Sequence, residues 1–289
     1  MNRKQHFIWV SLFFTFFLIQ VTLEAQEPVI LDSKMKPGIS NDMRIEELKV
    51  RWKKAALENC PGIPCVTTPP APSFTCGTSK VTDIDGNQYN TVLIGAQCWL
   101  KENLKVGKYN DGTDIHLDAT GGSAGNGVGE SWSGLSSGAK TVYAHNSTYL
   151  NDLGYLYNWY AAVDNRGICP DGWKVPSKLE WQSLETFLSS TPGDVGLKMM
   201  VTSTPYGWAA FSKTNSSGFT ALSSGYRFGQ FLRAGVPGAS GILYAVWWST
   251  DSVSPTSKDY AVLEDQNSGG FYLNTSQPSL GASIRCIKK

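Results

Sequence analysis

The sequence predicts an α+β fold of short antiparallel strands, one or two helices, long loops and disulfides. Three observations predict it. Patterned segments run strands first, helices in the middle and strands last, without the strand–helix alternation that builds a parallel sheet. One segment, opening at Ser177, carries a complete helix-start signal. Six cysteines, an even number, follow a leader that reads as an export signal, and export places thiols where disulfides form.

The leader sets the compartment. Arg3 and Lys4 precede an apolar run from Phe7 to Val21, and Ala25 follows as a small residue at a cleavage position. This is the layout of a signal peptide over 1–25, too short for a bilayer span and with no basic cluster behind it. The mature chain is expected to be exported to the periplasm, the cell surface or the medium, with no membrane span. Cleavage takes Lys+Arg from 25 to 23 and Asp+Glu from 24 to 23, so the mature net charge is zero. A chain without a basic excess is not expected to bind nucleic acid.

Residues 26–75 form an N-terminal segment. Asn41 to Asn59 reads as a helix with Ile45, Leu48, Trp52, Ala55 and Ala56 near one face. Pro61-Gly62 ends it, and a linker stiffened by Pro69, Pro70 and Pro72 follows. The main domain is expected over 76–289. Val81–Ile84 and Gln88–Ile94 alternate around Asp85-Gly86-Asn87, a hairpin signal. Gln97–Val106 reads as extended chain. Asp118–Lys140 holds seven glycines and reads as a long loop. Tyr143 and Leu156–Ala162 are expected in the core.

Ser177-Lys178-Leu179-Glu180 is a capping box, with Trp181, Leu184, Phe187 and Leu188 as the buried stripe behind it. A second helix is expected over Asp194–Val201. Short β segments then follow at Gly218–Arg227, Leu243–Ser249, Tyr260–Glu264, Gly269–Asn274 and Ala282–Lys288. Chain order suggests the pairs Cys60–Cys65, Cys76–Cys98 and Cys169–Cys286. Zinc spacing is absent, since Cys-x-x-Cys pairs are missing and only His116 and His145 survive cleavage.

Several motifs carry chemistry only on paper. Gly121-Gly122-Ser123-Ala124-Gly125 matches a nucleophile elbow, but it sits in loop sequence without the flanking strand and helix. Asp83-x-Asp85-Gly86-Asn87 resembles the front of a calcium loop, yet strand residues follow at once. Asp114, His116 and Asp118 alternate as ligands on one strand face would, and as a solvated polar face would. No metal or cofactor is expected. Trp99, Trp159, Trp173 and Trp181 are expected in the core. Adjacent pairs Tyr226-Arg227 and Trp247-Trp248 should each present one side chain. With Asp251 nearby, they are the candidate binding residues, suited to a sugar ring or a protein partner.

In order along the chain stand Thr82–Val92, Ile94–Trp99 with Glu102-Asn103-Leu104, Tyr157-Asn158-Trp159, and Ile168–Ser177 with Glu180-Trp181. Gly218–Leu222 with Gly225-Tyr226-Arg227, Trp248-Ser249-Thr250 and Ser283–Cys286 complete the series. These blocks resemble the Fibrobacter succinogenes major paralogous domain, common on exported proteins of Bacteroidetes-type bacteria. The resemblance implies a C-type lectin-like fold, similar also to formylglycine-generating enzymes. The calcium motifs of C-type lectins are not matched by Gln277-Pro278-Ser279 or Trp248-Ser249-Thr250-Asp251. The copper-holding cysteine pair of the enzymes is missing near Cys286. The expectation is therefore a non-catalytic binding module for a glycan or an envelope protein. A formylglycine-generating-type enzyme and a purely structural surface domain are the alternatives.

Overall fold

A computed structural model describes residues 73–118, 130–190, 194–202, 205–209, 212–237, 241–266 and 269–289, all in one unit from Ser73 to Lys289. The leader, the expected helix at 41–59, the Cys60–Cys65 pair and the motif at 121–125 lie outside these residues. The fold is α+β, mostly small antiparallel sheets with few helices. Among the described residues no helix is long and apolar enough to cross a membrane.

The hairpin signal folds as β1 (Val81–Thr82) against β2 (Gln88–Tyr89). Asp83 ties the turn. Its Oδ1 accepts from the backbone N–H of Asp85 (3.0 Å) and Asn87 (2.9 Å), and its Oδ2 from the Tyr89 hydroxyl (2.6 Å). Gly86, at φ 84°, takes the left-handed position that a side chain would strain. The calcium-like spelling is thus a self-satisfied turn. The segment expected as one strand, Gln88–Ile94, divides at Asn90, whose N–H and amide both donate to Glu102. Beyond it β3 (Thr91–Ile94) pairs with β4 (Gln97–Leu100) in a second sheet, which two later strands complete.

β5 (His116–Leu117), β6 (Ala139–Val142) and β7 (Tyr155–Tyr157) make a three-stranded sheet. β8 (Trp173–Lys174) leads into the helix Lys178–Ser189, whose capping box forms as the sequence predicts. Ser177 Oγ accepts from Glu180 N–H, and Glu180 Oε2 accepts from Ser177 N–H at 2.8 Å. Trp181, Leu184 and Leu188 are buried. Phe187, expected beside them, is half exposed and lies against Gly95 instead. A short helix covers Val195–Met199.

The last third of the chain forms the largest sheet. Its strands are β9 (Ser224–Phe228), β10 (Gln230–Ala234), β11 (Tyr244–Ser254), β12 (Ser257–Glu264) and β13 (Phe271–Ser276), in the order β10-β9-β11-β12-β13. β14 (Ile287–Lys288) returns to the second sheet beside β4 and β8.

Both faces of the largest sheet are covered. Ala245, Trp247, Ala261 and Leu263 face a cluster with Trp181, Leu184, Trp99 and Phe219. Trp181 lies 4.7 Å from Trp99 and 5.9 Å from Trp247, centroid to centroid. Val246, Trp248 and Val262 face a second cluster with Leu280, Ala282 and Ile284. Two disulfides brace the unit: Cys76–Cys98 across 22 residues and Cys169–Cys286 across 117.

Candidate functional site

Where the second covering layer ends, the sheet opens into a pocket of about 210 Å³. Alternation along β11 puts Tyr244 on the face of Val246 and Trp248, and alternation along β12 puts Tyr260 on the face of Val262. Tyr226 on β9 and Tyr272 on β13 complete a ring of four tyrosines from four strands. Val246, Val262 and Leu280 are its buried apolar floor, and half-exposed Phe228 stands at its edge. The Tyr226 and Tyr244 rings meet edge to face at 5.9 Å. Burial, and then the neighbouring Tyr226 and Tyr244, hold the Tyr260 phenol above its ordinary pKa. Burial and Glu264, which accepts from the Tyr272 hydroxyl at 3.1 Å, do the same for Tyr272. The Tyr260 and Tyr272 phenols therefore stay neutral hydrogen-bonding groups beside the apolar base.

Of the residues named from sequence as candidate binders, Tyr226 lies in this pocket and the others do not. The expectation that one of Trp247 and Trp248 would be presented is corrected: both are fully buried, because both faces of their strand are covered. Trp247 Nε1 donates to Asn103 Oδ1 and Trp248 Nε1 to the Tyr157 carbonyl. Arg227 is buried as well. It pairs with Asp118 at 2.6 Å and lies over the rings of Trp132 and Phe231. Asp251 Oδ2 accepts from Lys178 N–H at 2.7 Å and from Ser249 Oγ, so it serves as a second acceptor at the helix start.

Asp114, His116 and Asp118 do not converge. Asp114 and His116 are exposed, while Asp118 turns inward to Arg227. Among the described residues no three His, Cys, Asp or Glu side chains gather as metal ligands would. The sequence alone does not single out Tyr244, Tyr260 and Tyr272 as binders. Their signal was the i, i+2 spacing Tyr244-Val246 and Tyr260-Val262, which puts each tyrosine on the face of a floor residue.

The motif blocks meet in a buried polar network elsewhere. Arg285 is fully enclosed and burial pushes its pKa down to about 9. Its guanidinium donates to the carbonyls of Lys101 (2.6 Å), Phe219 (2.7 Å) and Leu100 (3.3 Å), and to Asn103 Oδ1 (2.8 Å). Asn103 in turn donates to the Leu153 carbonyl and to Ser283 Oγ. Asn158 Oδ1 accepts from Ala139 and Ala161 N–H. Residues far apart in sequence are thus bonded into one frame. A family model described as the Fibrobacter succinogenes major domain matches residues 92–288, from β3 through β14. The chain belongs to this family. No curated protein and no solved structure matches it. In this Fibrobacter succinogenes major domain the motif residues mostly hold the frame, and the tyrosine pocket lies on the sheet they support.

A second cleft, about 410 Å³, lies beside the Cys169–Cys286 bridge, with Asn110, Asp164, Trp173, Lys174 and Lys289 on its walls. Two of its charged groups have partners already: Asp164 with Arg166 at 2.7 Å and Lys174 with Glu180 at 2.8 Å.

Proposed function

We propose that this domain is an exported, non-catalytic binding module that takes a glycan in the tyrosine pocket of a lectin-like fold. One observation carries the reading: four tyrosines from four strands surround an apolar floor that is open to solvent. An aromatic ring with a polar tip suits a ligand with an apolar face and a hydroxylated edge. Export is supported by the signal layout of residues 1–25 and by two disulfides. The lectin-like assignment is what the family resemblance implies, and the α+β fold is consistent with it. Residues that would carry the enzyme alternative have structural partners: Ser177 caps a helix and Cys286 is bonded to Cys169.

The test is a glycan array with mature protein from Gln26, followed by calorimetry. Affinity for a shallow site is expected in the micromolar to millimolar range, on the order of −8 to −4 kcal/mol. Tyr226→Ala and Tyr260→Ala, shown to be folded by near-ultraviolet circular dichroism, should each weaken binding. Absence of glycan binding at millimolar concentration refutes the reading and leaves the envelope-protein or structural alternative.

A further inference from the structure

We propose that the tyrosine pocket selects one neutral sugar ring and rejects acidic sugars; the inference rests on the glycan reading above. Among its described lining residues, none is charged. Among the described side chains, two cations that the sequence places near the ring tyrosines are engaged elsewhere. Arg227, next to Tyr226, points away and pairs with Asp118. Lys258, on the same face of β12 as Tyr260, is held 3.9 Å over the Trp159 ring and donates to Ser252 Oγ and the Ser254 carbonyl. A negative group stands beside the ring: Glu264, bonded to the Tyr272 hydroxyl. A carboxylate entering this pocket would lose water and meet no cation among the described lining residues, with Glu264 bonded to one of the ring tyrosines, and an unpaired buried charge is strongly disfavoured.

What the pocket does offer fits an uncharged ring. Val246, Val262 and Leu280 present an apolar base for the C–H face of a pyranose. The Tyr226 and Tyr260 hydroxyls make no hydrogen bond to another described residue, so they are available to ring hydroxyls. At about 210 Å³ the space is below the roughly 300–1,000 Å³ of pockets that enclose drug-sized ligands. It therefore accommodates one ring of a glycan, with the remaining units outside.

Calorimetry on the mature protein with paired probes tests this. The probes are glucose and glucuronic acid, galactose and galacturonic acid, and neutral oligomers of two to five units. The neutral member of at least one pair should bind about tenfold or more tightly than its uronate. Glu264→Gln should narrow that gap by improving the uronate. Oligomers beyond the disaccharide should gain little. Tyr260→Phe, which keeps the ring and removes the hydroxyl, should weaken neutral binding. Uronates that bind as well as neutral sugars, or affinity that climbs steadily with chain length, overturn the selectivity while glycan binding stands. Failure of every saccharide, neutral and acidic, refutes the glycan reading itself.

Discussion

Removing the Cys169–Cys286 bridge should destabilise the domain more than removing Cys76–Cys98, and the size of the difference follows from chain length. In the chain-entropy account a bridge closing n residues removes about 2.1 + 1.5R ln n cal/mol/K from the unfolded chain. For a separation of 117 this gives about 4.9 kcal/mol near 25 °C, and for 22 about 3.4 kcal/mol. Packing acts in the same direction. Cys169 and Cys286 are buried in the cluster with Trp173, Val175 and Ile284, whereas Cys76 is only partly buried at its edge. The double variants Cys169→Ala/Cys286→Ala and Cys76→Ala/Cys98→Ala, compared with oxidised wild type by urea unfolding, report both values by linear extrapolation. A domain of ordinary stability holds only about 5–15 kcal/mol, so losing the longer bridge should remove from about a third to nearly all of it. The longer bridge costing less than the shorter one, or less than about 1 kcal/mol, would refute the reasoning.

Three further outcomes follow from the frame. Ser177→Ala should cost about 1 kcal/mol in the same unfolding assay, because Glu180 N–H loses its side-chain acceptor; an unchanged midpoint would mean that the backbone carbonyl and Asp251 suffice as the cap. Arg285→Lys should cost about 2–3 kcal/mol even though charge is kept, because an ammonium cannot reach three carbonyls and Asn103 as the planar fork does; equal stability would remove Arg285 from the frame. Burial, and then Arg227, lower the pKa of His145 against the opposing effect of Asp118. The unfolded chain therefore binds more protons at this site, and stability falls as pH drops through about 6.5 toward the folded-state value. His145→Phe should flatten the midpoint-versus-pH curve between about pH 5 and 7, and an unaltered curve would contradict the shift.

The parts of the fold legible in the sequence are those set by local chemistry. The Asp85-Gly86-Asn87 turn, the Ser177–Glu180 box and the two described cysteine pairs are each written in a few residues or in chain order. What was not legible depends on partners distant in sequence. Gln88–Ile94 reads as one strand, but Asn90 is claimed by Glu102 and the segment serves two sheets. β10 is not legible because its reversal rests on Gly229 alone, between Phe228 and Gln230. Alternation correctly put Trp247 and Trp248 on opposite faces, but it could not say that both faces would be covered. Arg227 finds Asp118 across 109 residues, a pairing that no local pattern signals. The candidate site was legible at Tyr226 and illegible in its remaining tyrosines, because a pocket made by four strands exists only once their register is set.

The central claim, that ligand enters the tyrosine pocket, is tested most directly by backbone amide spectra of isotope-labelled mature protein titrated with a neutral saccharide that binds. Shifts should concentrate at Tyr226–Leu232, Tyr244–Val246, Tyr260–Glu264 and Tyr272–Ser276, the strand segments that carry the lining. Shifts gathered instead along Asp164–Val175, the walls of the cleft beside the Cys169–Cys286 bridge, would contradict it.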